Sequence, residues 1–404
     1  MIIIVTVLFS ITLIGFLIWE RDIFSPIVLH SISWLLVLIS GLFFSQIFFK
    51  IATNVYYILL IWYYSFTIGY CLIRFTNITY LFDHNQIDGK HKNIVPLEYG
   101  YTWLLVLLLI LAIYKLYLIG FGMGGDFFSN LKKAGFSKDD DAEKMGFLLR
   151  FLPVFLVLFL RESLTLNKHN YFRFLLLLIW QIIMVVGTGS KLTMLLPLLG
   201  VIITRNFLSK IKLSKLLMVF SIIIFIMVAF QFARAGGSEN YTIIDYLGIY
   251  IYSPLVAFSE FVNSLNNHTT LFGVTSLSFI YKILAPLIGA TPEYATLGGW
   301  YLVPLPTNVF TIMFPSFSDF GIAGVLLFSF LNGMVYGLLY KKALKGDFRF
   351  CMLYGLFATC IIMEMFGDVL GGFLSLYIQI IFWVFLLDWI SRRPKLKIKG
   401  LSWY

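Results

Sequence analysis

Few side chains in this sequence can do chemistry, and they sit among apolar residues. Lys115, Arg150, Lys191 and Arg234 each stand near the end of a long apolar run. A charge within a bilayer or at its mouth is costly, so each is a candidate for a task beyond solubility. Cations brought together from separate helices at similar depth suit a lipid diphosphate. Arg offers such a group a fork of donors and Lys a point charge. Snorkelling, or contact with phospholipid headgroups, accounts for the same cations without a ligand.

Lys191 closes the stretch Gly187-Thr188-Gly189-Ser190-Lys191, which joins two apolar runs by a very tight turn. Glycines let backbone N–H groups approach an anion, and the helix that follows presents its positive end. The four-residue spacer of a Walker motif is missing, and a plain tight turn is the alternative. Carboxylates are Glu239, Asp245, Glu260, Glu293, Asp319, Glu364 and Asp368. Asp319 lies in Ser-Asp-Phe-Gly-Ile-Ala-Gly, where it either caps a helix or serves as a general base toward a hydroxyl. Glu364 and Asp368 are expected to stack i,i+4 on one helix face and to bind a sugar hydroxyl, share a proton or pair with a cation. His268, in a loop, is a second candidate base. The Asp139-Asp140-Asp141 run matches a D-x-D pattern, but flanking Lys138 and Lys144 favour a solvated acidic turn. No metal-ligand spacing is found.

These residues must be positioned by membrane helices. The chain has 404 residues, 60% hydrophobic and 12% charged. A soluble fold cannot hide so much apolar surface, and apolar runs near twenty residues match the hydrocarbon core. Helices are expected near 2–19, 27–48, 55–75, 99–120, 147–165, 171–188, 191–207, 214–233, 318–340, 350–367 and 371–390. That is about eleven spans, with ten to twelve compatible. The first run lacks a basic leader and a small-residue cleavage site, so it reads as a retained helix. One alternate set of loops, including 205–215, 341–349 and the tail 391–404, holds about twenty of the thirty cations and is expected in the cytoplasm. The whole reads as one integral domain, 1–404, with a large outer loop at 234–317.

That loop is long, aromatic and poor in charge, as functional connections often are. Segments 241–263 and 271–289 are expected to be half-buried helices broken by Pro254 and Pro286. Gly298-Gly299-Trp300-Tyr301-Leu-Val-Pro304-Leu-Pro306-Thr307-Asn308 imposes a rigid non-helical path just before a helix. Tyr301 and Asn308 there are candidates to hold sugars. Segment 122–146 is expected to form an amphipathic outer helix. The charge of +10 reflects cytoplasmic loops, and nucleic acid is a poor second explanation.

The run Pro306-Thr-Asn-Val-Phe-Thr311, then Ser318-Asp-Phe-Gly-Ile-Ala-Gly324, resembles the oligosaccharide repeat-unit polymerases (O-antigen polymerases) of bacterial surface polysaccharides. Arg21-Asp22-Ile-Phe-Ser-Pro26 and the late loop opened by an arginine are similar too. Where that family is expected to carry Gly-Ser-Arg, this chain has Gly189-Ser190-Lys191, which keeps the charge and loses the fork. The resemblance implies an all-helical, class C glycosyltransferase-like enzyme of the inner membrane. It implies undecaprenyl-diphosphate-linked oligosaccharide as donor and acceptor on the periplasmic face, no metal or other cofactor, and a chain-length regulator membrane protein as partner. Arg234, Asp319 and His268 are then the catalytic candidates. Lys191, Ser190, Arg150, Lys115, Tyr301, Asn308, Glu364 and Asp368 would bind substrate.

Three rivals remain: a lipid-linked oligosaccharide flippase or other transporter, an O-antigen ligase, and a structural membrane subunit. A transporter reading calls for internal repeats, charges at the midplane and broken helices. A scaffold needs no cation cluster.

Overall fold

The computed structural model describes residues 1–76 (apart from 45 and 47), 101–122, 145–165, 170–212, 243–264, 273–288 and 301–392 (apart from 305), with isolated positions between them. Its helices are α1 (Ile2–Glu20), α2 (Pro26–Phe44), α3 (Thr53–Phe75), α4 (Thr102–Phe121), α5 (Leu152–Leu164), α6 (Tyr171–Thr188), α7 (Lys191–Leu208), α8 (Ile243–Ser264), α9 (Ser278–Ile288), α10 (Met313–Leu344), α11 (Phe348–Ile362), α12 (Val369–Gly372) and α13 (Leu374–Arg392). A two-stranded hairpin, β1 (Tyr301–Leu302) and β2 (Pro306–Thr307), is the sheet among the described residues. Seven of the described helices are long and apolar enough to cross a membrane: α1, α2, α3, α4, α6, α10 and α13.

Differences from the expected spans have local causes. The run at 147–165 is split into a 3-10 turn, Gly146–Phe151, and the 13-residue α5. Pro153 fits only the first turn of a helix, so α5 starts there. The run at 350–367 is α-helical as far as Ile362, then tightens into a 3-10 turn, Glu364–Phe366, that ends at Gly367, whose φ of 141° only glycine takes readily. Most of the expected helix at 214–233 lies outside the described residues, as do the 122–146 helix for the most part, Asp139–Asp141 and the tail beyond Arg392. The chain, expected as one domain, divides into two compact units, 1–89 with 194–377 and 90–193 with 378–404.

In the first unit α1 is the least buried of the candidate spans. Ile4, Val7, Ile11, Ile14 and Ile18 form one open stripe, while Val5 and Phe9 are buried. Its hydroxyls are satisfied within the helix: Thr6 donates to Ile2 O at 2.8 Å and Ser10 to Thr6 O at 2.8 Å. That is the available solution where lipid offers no partner. Helices α3 and α10 pack backbone to backbone. Gly69 lies against the Phe330 carbonyl and Gly333 against the Phe66 carbonyl, and Ser329 Oγ donates to Trp62 O. Small residues permit such approach between membrane helices.

Helix α10 is broken at Gly321, with φ 61° and ψ −146°. The Ser316 carbonyl lies against Gly324, and Phe320 stacks on Phe328 at 6.0 Å. Residues 313–320 therefore double back along the spanning part. Helix α8 runs through Pro254, contrary to the expected break. Its face of Tyr252, Leu255, Val256, Phe258 and Phe261 is buried, and that packing outweighs the roughly 3 kcal/mol an internal proline costs.

Within the second unit, buried charges tie the described helices together. Tyr101 Oη donates to Glu162 Oε1 at 2.6 Å, and Arg173 Nη2 stands 3.6 Å from the same oxygen. Arg161 Nη1 donates to the Leu387 carbonyl at 3.4 Å.

Candidate active site

The proline-rich path before α10 folds as a hairpin. Tyr301 pairs with Thr307 and Leu302 with Pro306, and the Val303–Pro304 bond at its bend is cis. Its position is fixed from below. Ser253 of α8 donates to Val303 O at 2.9 Å, and the Tyr301 and Ser264 hydroxyls meet at 3.1 Å. Phe310 stacks on Phe314 at 4.3 Å, with Phe261 edge-on to Phe314 at 4.8 Å. Tyr301 is half-buried and Asn308 exposed.

The floor of this wall is the connection between α11 and α13. Ile312 N donates to Glu364 O at 2.8 Å, and Phe366 packs on Tyr250 at 4.8 Å. Glu364 was expected to stack with Asp368 on one helix face, and it does not. Helix α11 ends before Glu364, which occupies a 3-10 turn, and Gly367 redirects the chain ahead of Asp368. Glu364 is 1% exposed. Trp34 Nε1 donates to its Oε2 at 2.9 Å, Trp62 Nε1 reaches that oxygen at 3.4 Å, and His30 Nδ1 lies 2.7 Å from it. Trp34 is the ninth of nineteen residues in α2 and Trp62 the tenth of twenty-three in α3. The carboxylate therefore sits at mid-length of two spans. His30, stacked on Phe66 at 4.1 Å and Tyr63 at 5.0 Å, is a residue the sequence reading passed over. An ionisable side chain inside an apolar run was the signal that could have found it.

Asp368 is half-buried and caps α12, its Oδ1 accepting from Gly371 N at 2.8 Å. Burial pushes its carboxyl up to about 6, against the Gly371 amide and with the help of nearby Glu364. Such a group changes protonation near neutral pH, as a general base requires.

Asp319 was expected to cap its own helix or act as a base. Asp319 lies in the segment before the break at Gly321, and its carboxylate faces a different element. Oδ2 accepts from Thr275 N at 3.1 Å, Ser276 N at 2.6 Å and Ser276 Oγ at 2.6 Å. It clamps the 273–277 turn that leads into α9. A carboxylate so occupied by internal donors serves as an anchor.

The tight turn at 187–191 belongs to the second unit. Gly187 is small because Met145 packs against it, and Gly189 because its φ is 57°. The Ser190 amide points to Thr188 Oγ1 at 3.3 Å, and the Ser190 carbonyl accepts from Thr193 Oγ1 at 2.7 Å. Ser190 thus uses its amide and its carbonyl to close the turn. Helix α7 does begin at Lys191, whose side chain lies outside the described residues. Lys115 is half-buried in α4, and Arg150 is exposed in the 3-10 turn before α5. Arg234 and His268 lie outside the described residues. No group of three or more His, Cys, Asp and Glu suited to a metal ion occurs among the described residues. The chain matches no protein-family model, no curated protein and no solved structure.

Proposed function

We propose that this chain polymerises lipid-linked oligosaccharide repeat units on the periplasmic face of a bacterial inner membrane. The observation that carries the reading is the hairpin at 301–307, a fixed aromatic wall whose floor is the turn leading to Asp368. Tyr301 and Asn308 hold sugar on that wall. Asp368 takes the proton of the acceptor hydroxyl, whose oxygen attacks the anomeric carbon of the donor glycan. The bond from that carbon to the undecaprenyl diphosphate oxygen breaks, and the lipid diphosphate departs. Arg234, expected at the mouth of the large loop, is the cation assigned to stabilise that leaving group. Asp319 and Glu364 support the site from outside the reaction.

The test is the glycan ladder in cells whose own copy is deleted. Arg234→Ala and Asp368→Asn, at normal protein level, are expected to leave one repeat unit on the lipid core; a full ladder from either rejects its role. A ligase would leave no unit at all.

One observation favours a second reading, transport of the lipid-linked unit. Glu364 is a buried acid held beside the middle of α2 and α3 with His30 against it, and α10 is a broken helix. Loss of a transporter strands the unlengthened unit on the cytoplasmic leaflet, whereas loss of a polymerase leaves it on the outer one.

A further inference from the structure

Three ring nitrogens from two helices converge on one oxygen of Glu364, in a place where burying a carboxylate is costly. The same residue's backbone carbonyl receives the amide of Ile312, the last residue before α10. Its turn is fixed on a further side by Ser33 Oγ, which donates to Ile362 O at 3.1 Å. Side chain and main chain of one residue thus link mid-length α2, mid-length α3, the hairpin's exit and the path to Asp368.

We infer that His30 and Glu364 are positioning residues: their contact sets where the hairpin wall and Asp368 stand relative to α2 and α3. The inference rests on the polymerase reading only for its catalytic consequence. Nδ1 of His30 is the nitrogen that faces Glu364. Asparagine carries an amide nitrogen near that place, whereas alanine carries none. Glutamine at 364 keeps the shape of the acid and removes its charge, so Trp34 and Trp62 retain an acceptor while His30 loses its anion.

The experiment uses full-length protein in lipid nanodiscs. Backbone hydrogen exchange is followed at 308–314 and 363–371, together with the indole N–H resonances of Trp34 and Trp62. Glu364→Gln and His30→Ala are expected to speed exchange in both segments about tenfold or more and to shift both indoles. His30→Asn should restore slow exchange. With a lipid-linked repeat unit as substrate, kcat should fall in the first two variants and recover in the third, at unchanged global melting temperature. Exchange and indole resonances unmoved in both Glu364→Gln and His30→Ala overturn the inference, whatever the activity. Faster exchange in a protein whose wild type does not polymerise sinks the polymerase reading alone.

Discussion

Asp319 and Ser276 meet twice: the amide and the hydroxyl of Ser276 each donate to Oδ2 of Asp319 at 2.6 Å. Charge-assisted bonds of this kind contribute roughly 1.5–3 kcal/mol when removed one at a time. Asp319→Ala is therefore expected to free the 273–277 turn and α9, seen as new proteolytic cleavage between 273 and 288. Asp319→Asn keeps one oxygen acceptor and should retain both the fold and the glycan ladder. Loss of the ladder in Asp319→Asn, with melting unchanged, would return Asp319 to the chemistry.

The spans were legible because an apolar run of membrane length admits little else; α1, α3 and α6 begin and end within a few residues of expectation. The non-helical path from Tyr301 to Asn308 was legible too, since Pro304 and Pro306 break a helix. Roles were harder to read. Asp319 looked like a cap for its own helix because its partner, 43 residues earlier, is set by tertiary packing. Glu364 and Asp368 looked like helical neighbours because nothing local announces that Gly367 takes a positive φ. His30 escaped notice because its partner lies at the other end of the chain.

Gly333 and Gly337 test the contact between α3 and α10. Gly333 faces the Phe66 carbonyl and the Tyr70 amide, which cannot move aside, while the nearest atoms to a methyl at Gly337 belong to the Ile73 and Tyr70 side chains at 3.3 Å. Gly333→Leu is expected to cost about 3 kcal/mol or more and to remove folded protein from the membrane. Gly337→Ala should cost under about 1.5 kcal/mol. Detergent-solubilised yield and melting temperature report the difference, and equal effects at the two sites would contradict the packing described.

Asp368 gives the pH dependence a sign. Its carboxyl lies above the ordinary carboxylate range, near 6, chiefly through burial. A raised folded value means that protonation favours the folded state. The contribution to stability is full below about 4 and is lost as pH rises through about 6. Activity runs the other way, because a base must first lose its proton. Polymerisation in reconstituted vesicles should rise through pH 6 and level off above it. The melting difference between wild type and Asp368→Asn should shift against the wild type between pH 4.5 and 7.5; a difference independent of pH contradicts the assignment.

In the second unit, Glu162 and Arg173 are 2% and 4% exposed, and burial makes the mode of substitution matter more than the pair itself. Glu162→Gln removes the carboxylate that Arg173 and the Tyr101 hydroxyl face. Breaking a buried pair from one side costs about 3–5 kcal/mol, whereas exchanging both members for apolar residues of similar volume is often neutral. The 3.6 Å separation puts this pair at the lower end of that range. Glu162→Gln is thus expected to shorten the half-life of detergent-solubilised protein at elevated temperature. The double variant Glu162→Leu, Arg173→Met should recover most of it. If the double variant is less stable than the single one, the pair contributes net stability through its hydrogen bonds, and Tyr101→Phe should then reproduce much of the loss.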